Sequence, residues 1–148
     1  MNVVAKPVDL VLKRDLAAPR EQVFAAWTDI AKATRWWVPH DFTIVACEMD
    51  VRPGGIWQRR LRAPDGRVIV KHGVYREVVR PERLVFTYNT EGNGIDDPET
   101  LVTVTFADLG GRTRLTLRHT AFLTEASRLD HEGGWTGALD RVVAYFAD

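Results

Sequence analysis

The sequence predicts an α+β fold in which a curved antiparallel sheet of about seven strands packs against a long C-terminal helix. Three observations carry this. The apolar pattern runs as one strand, two short helices, six strands and a final helix. The strands are joined by tight turns rich in Gly and Pro, which suit antiparallel hairpins and not βαβ crossovers. The last segment carries one apolar stripe, Trp135, Leu139, Val142, Val143 and Phe146, at spacings of three and four. Such a stripe has to be buried against the sheet.

Each element has its own signal. Val8 to Leu16 reads as a strand, with Val8, Leu10 and Leu12 on one face. Ala18-Pro19 opens a helix, because proline is favoured at a first helical position, and Val23, Phe24 and Trp27 follow at helical spacing. Asp29 is placed to cap a second short helix, Ile30 to Arg35. Strands then follow over Phe42–Val51, Ile56–Arg62, Val68–Val79, Leu84–Asn89, Leu101–Phe106 and Arg112–His119. Turns fall at Pro53-Gly54-Gly55, Pro64-Asp65-Gly66, Pro81-Glu82-Arg83 and Gly110-Gly111, and Glu91 to Pro98 reads as a loop. Gly133, Gly134 and Gly137 stand near the expected start of the last helix, where small residues allow a close backbone approach. Nothing divides the 148 residues, so residues 1–148 form one domain.

Alternation along the strands sorts side chains between the two faces of the sheet. Leu115, Leu117 and His119 share a face, as do Val102, Val104 and Phe106, then Leu84, Phe86 and Tyr88, then Trp57, Arg59 and Leu61. In the long strand Gly73, Tyr75 and Glu77 fall together, and a bulge there would invert the assignment. The expected inner face is thus Trp57, Tyr75, Phe86, Tyr88 and Phe106, closed by Trp135, with Arg59, Glu77 and His119 as polar groups. An apolar wall with few polar anchors is the make-up of a small-molecule pocket, and it is equally that of a filled core.

Composition excludes several classes. Lys+Arg and Asp+Glu are both 20, for zero net charge, which argues against nucleic acid as a partner. Arg59, Arg60 and Arg62 cluster, as on a solvated strand face. One cysteine, Cys47, rules out an internal disulfide and a Cys-rich metal site, and reads as a small core residue. No run approaches the roughly 20 apolar residues of a membrane helix, and the start of the chain shows no signal-peptide pattern. The expected address is the cytoplasm, without membrane insertion. The four histidines, His40, His72, His119 and His131, show no metal-ligand spacing, and no hydrolase elbow or nucleotide-binding fingerprint is present. No metal and no cofactor is expected.

The ordered pieces resemble a known superfamily. They are Ala18-Pro19 to Trp27-Thr28-Asp29, Arg35-Trp36-Trp37-Val38-Pro39, Asp50-Val51-Arg52-Pro53-Gly54-Gly55 and Pro64-Asp65-Gly66. Gly73-Val74-Tyr75-Arg76-Glu77, Arg80-Pro81-Glu82-Arg83-Leu84-Val85-Phe86-Thr87, Val102-Thr103-Val104-Thr105-Phe106, Thr113-Arg114-Leu115-Thr116-Leu117 and Gly134-Trp135 complete the series. The chain resembles the START-like helix-grip superfamily, also called SRPBCC or birch-pollen-allergen-like. More narrowly, it is similar to the branch homologous to the C-terminal domain of the activator of heat-shock-protein ATPase. The resemblance implies a seven-stranded sheet wrapped around the C-terminal helix, with an inner face that lines a cavity.

Three functions compete at this point. The first is binding of a small hydrophobic or aromatic molecule by Trp36, Trp37, Trp57, Arg59, Tyr75, Glu77, Phe86, Tyr88, Phe106, His119, Trp135 and Leu139. The second is a cyclase- or hydrolase-type enzyme in which His119 acts as general acid or base with Glu77 or Arg59. The third is a co-chaperone-like interaction module. A structural role for His119 at a strand end stands beside the catalytic one. The ligand and the oligomeric state, a homodimer included, are left open.

Overall fold

Local signals account for most element boundaries in the computed structural model, which describes residues 8–92, 98–122 and 124–147. The order is β1 (Val8–Leu16), α1 (Arg20–Thr28), α2 (Ile30–Trp36), β2 (Thr43–Met49), β3 (Ile56–Arg62), β4 (Val68–Val79), β5 (Arg83–Glu91), β6 (Thr100–Asp108), β7 (Thr113–Phe122) and α3 (Glu125–Phe146). The N-terminal heptapeptide and most of the expected Glu91–Pro98 loop lie outside the described residues. Pro19 stands at the N-cap of α1, and the Asp29 carboxylate caps α2 by accepting from the Ala31 N–H at 3.0 Å.

All seven strands join one antiparallel sheet in the order β1-β7-β6-β5-β4-β3-β2. The first strand is thereby inserted beside the last, and the two short helices carry the chain across to the far edge. This is the expected α+β architecture, with the apolar stripe of α3 turned toward the sheet.

The last helix starts earlier than its apolar stripe suggests. It runs for 22 residues from Glu125, and Thr124 caps it by accepting from the Ser127 N–H. Its first turns are held by Arg128, which pairs with Glu125 and Glu132 at one-turn spacing. The buried stripe continues there through Ser127 and His131, polar residues that an apolar count passes over. Gly133, Gly134 and Gly137 therefore lie inside the helix and not at its start. Gly137 alone makes the close backbone approach: a Cβ there would stand 2.9 Å from the His40 backbone nitrogen.

Two further details position the interior. Gly73 on β4 leaves room for the Trp57 indole to donate to the Thr87 carbonyl at 3.2 Å, where a Cβ would meet that same oxygen at 1.8 Å. The β4–β5 register slips between Tyr75 and Glu77, so Tyr75 opposes Phe86 whereas Glu77 opposes Val85. That bulge adds one residue to β4 and reverses the parity beyond it.

The centre between sheet and helices is filled by aromatic rings. Trp27 packs on Trp36 with centroids 4.5 Å apart, Trp37 on Trp57 at 5.2 Å, and Phe86 on Trp57 at 5.6 Å. Trp135 from α3 stacks on both Trp27 and Trp37. The tryptophans of the two short helices thus take up the volume that parity alone left open.

Candidate functional site

Space remains at one end of the core. A partly open cavity of about 290 Å³ lies between the N-terminal half of α3, the inner face of β3–β5 and the segment linking α2 to β2. Trp37, Tyr88, Trp135 and Ala138 supply apolar wall, Pro39, His40 and Phe42 form the side nearest the linking segment, and Arg59, Arg67, Lys71 and His131 bring nitrogen. The close approach of Gly137 to His40 ties that linking segment to α3.

Of the expected ligand contacts, Trp37, Arg59, Tyr88 and Trp135 reach the cavity. Trp36, Trp57, Tyr75, Phe86, Phe106 and Leu139 are packed in the core instead. Trp36 donates its indole N–H to the Ala26 carbonyl at 2.9 Å, which ties α2 to α1. The Tyr75 hydroxyl is buried without a hydrogen-bond partner, and burial raises its pKa.

Glu77 corrects the parity reading. The bulge turns its side chain to the outer face, where it is about half exposed and accepts from Arg83 at 2.8 Å. It neither orients His119 nor meets the cavity. The arginine cluster also divides: Arg60 and Arg62 are exposed, whereas Arg59 is 2 % exposed. Cys47, expected in the core, is half-buried on the edge strand β2, and its thiol pKa is raised chiefly by desolvation.

His119 is fully buried, and both ring nitrogens are occupied by side chains. Trp135 Nε1–H donates to its Nδ1 at 3.0 Å. An indole N–H only donates, so Nδ1 is the acceptor and the proton sits on Nε2. Nε2–H then donates to Thr100 Oγ1 at 2.6 Å, and the Thr100 hydroxyl donates to the Tyr88 carbonyl at 3.0 Å. Every proton in this chain has one direction. Burial, together with the nearby His131 and Lys71, pushes the His119 pKa well below its ordinary value. Tyr88, His131 and Trp135 touch the imidazole and themselves line the cavity, so they stand between His119 and any ligand.

Arg59 is the polar centre of the wall. Its guanidinium stacks on the Trp37 ring, 4.0 Å from the centroid. Nη1 donates to the Trp37 carbonyl and Nη2 to the Tyr88 hydroxyl, both at 3.0 Å, and Nε has no partner. Desolvation lowers its pKa, yet a guanidinium stays protonated in proteins. Lys71, its direct neighbour across β3 and β4, is also buried and donates to Thr90 Oγ1 at 3.0 Å.

Lys71 and His131 were missed by the sequence reading, each for a definable reason. The alternation that places Gly73 and Tyr75 inside also places Lys71 inside, but lysine is seldom buried, so its residue type argues against that position. His131 lies one helical turn before Trp135, a relation visible only once α3 is known to begin at Glu125.

Comparison with known proteins agrees with this fold. No curated protein matches the sequence. Protein CV1439 from Chromobacterium violaceum shares 26% identity and superposes with a TM-score of 0.82, over 95% of this chain and 98% of that one. The AHSA1 protein from Silicibacter pomeroyi shares 28% identity with a TM-score of 0.81, over 93% and 96% of the two chains. CalU16 from Micromonospora echinospora shares 25% identity with a TM-score of 0.71, over 94% of this chain and 76% of that one. The model of the family described as "Activator of Hsp90 ATPase homolog 1-like protein" matches residues 17–147, and the chain belongs to that family.

Proposed function

We propose that this protein binds a small molecule with an apolar or aromatic body in the cavity beside α3. The observation that supports the reading best is the wall itself. Trp37, Tyr88 and Trp135 present aromatic surface to about 290 Å³ of unfilled space, next to polar groups held in fixed positions. Small-molecule sites have this make-up, and the volume lies at the lower end of their range. The fold also contributes, because α3 and the linking segment enclose the space from opposite sides. The reading places the binding in the cytoplasm, where a chain with a single cysteine has no need of disulfides.

An acid–base role for His119 is not favoured. A general base needs an accessible lone pair within reach of substrate, and the Nδ1 lone pair of His119 is taken by Trp135. The family's description points to a chaperone ATPase for its namesake, and stoichiometric recovery of a chaperone in a pull-down would move an interaction role ahead of ligand binding.

The test is native mass spectrometry of the purified protein together with thermal shift against small aromatic compounds. A retained small molecule, or a rise in Tm with one class of compound, is expected. The absence of both a retained molecule and any shift would overturn the reading.

A further inference from the structure

We propose that the ligand is a small aromatic acid whose carboxylate sits between Arg59 and Lys71. This rests on the small-molecule reading above and names the chemistry of its ligand.

Two buried cations stand together without an acid among the described residues. Arg59 and Lys71 are directly opposed on β3 and β4 and face the cavity from the same side of the sheet. They are 2 % and 9 % exposed. Directly opposed residues have Cβ atoms about 5 Å apart, and like charges so placed repel. Desolvating each one adds to that penalty. Among the described residues no carboxylate stands within 4.0 Å of either cation, whereas Arg52, Arg83, Arg114, Arg118 and Arg128 all have acidic partners.

The partners that these two cations do have are neutral. A carbonyl and a phenol take one hydrogen from each terminal nitrogen of Arg59, and a threonine hydroxyl takes one from Lys71. A guanidinium carries five N–H groups and an ammonium three, so both retain donors. Stacking on Trp37 occupies the face of the guanidinium and leaves its edge for a planar acceptor. The lining has one carboxylate, Asp130, which is exposed on α3 and forms no ion pair with Arg59 or Lys71. An anion placed between the two cations removes the repulsion and completes their hydrogen bonds. No neutral molecule does both.

Size and wall chemistry narrow the class. The cavity of about 290 Å³ has room for roughly ten waters at their liquid volume. One or two fused rings with a short acidic arm fit that space, and Trp37, Tyr88 and Trp135 supply aromatic wall around it.

Isothermal titration of the full-length protein tests this with matched pairs. The probes are benzoate, phenylacetate, 2-naphthoate and indole-3-acetate, each beside its primary amide. At least one acid should bind tenfold or more tightly than its amide. Lys71→Met should reduce that acid's affinity about tenfold and change the amide's affinity far less. Arg59→Met should act likewise; because it also strips partners from Trp37 and Tyr88, Lys71→Met carries the test if that variant does not fold. Amides that bind as tightly as the acids would overturn this inference and leave the small-molecule reading standing. If no member of the panel binds, this inference falls, and the small-molecule reading is decided by retention and thermal shift.

Discussion

Trp135 on the C-terminal helix donates its indole N–H to Nδ1 of His119 on the last strand, at 3.0 Å. That one bond docks α3 on β7, fixes the imidazole tautomer and orients the proton chain through Thr100 to the Tyr88 carbonyl. The residue with the strongest catalytic credentials in the sequence thereby has both ring nitrogens engaged within the fold.

Stability should fall as pH drops below about 6.5. His119 is held neutral in the folded protein with its pKa below the ordinary 6.5, whereas in the unfolded chain it protonates near that value. The unfolded state then binds one more proton, and stability declines by about 1.4 kcal/mol per pH unit. The loss continues until the pH reaches the lowered folded pKa. Chemical denaturation between pH 7 and 5 checks this: His119→Gln should remove the one-proton slope over that window.

Trp135→Phe keeps an aromatic ring and removes the donor. It leaves the buried Nδ1 without a partner, at a cost of about 1–3 kcal/mol. Nδ1 also becomes able to accept a proton, so the His119 pKa should rise toward its ordinary value and the acid-side slope should shrink. NMR titration of the His119 ring measures the first change and denaturant curves the second.

The glycines of α3 should separate by what lies above them. At Gly133 a Cβ meets nothing within 4 Å, so Gly133→Ala should stabilise by about 0.5–1 kcal/mol through helix propensity. At Gly137 a Cβ meets the His40 backbone nitrogen at 2.9 Å and its ring at 3.0 Å. Gly137→Ala should therefore destabilise by about 1–2 kcal/mol and loosen the segment that borders the cavity. Paired thermal melts decide this, and two equal stabilisations would refute the close contact.

Lys71→Met should stabilise the ligand-free protein. It removes one of two opposed buried cations and keeps the apolar stem, for a gain of about 1 kcal/mol. A higher midpoint in urea, with an unchanged slope, is the expected result.

Glu77→Gln should change neither stability nor ligand binding measurably. Its partner Arg83 and its own carboxylate are both about half exposed, and such pairs contribute about 0–1 kcal/mol. A loss of ligand binding would return Glu77 to the site.

Much of the interior was legible from alternation. Trp57, Arg59, Phe86, Tyr88, Phe106 and His119 were expected on the inner face, and all are buried. The reading failed at Glu77 because one extra residue in β4 inverts a period-two pattern, and no local composition announces a bulge. It also assigned core aromatics to the ligand. Trp27 and Trp36 come from the short helices, and Trp37 from the cap of the second, whose position over the sheet no periodicity reports.

By itself the sequence determined the element order, the antiparallel hairpins and the face that each regular strand turns inward. These follow from local turn chemistry and from alternation, which need only neighbours along the chain. Tertiary structure alone decided which aromatic rings fill the core and which line a cavity, that His119 is locked by Trp135, and that Arg59 and Lys71 stand together without an acid. Those outcomes depend on volume and charge summed over residues far apart in the chain, and they exist only once β3, β4, α3 and the two short helices share one interior.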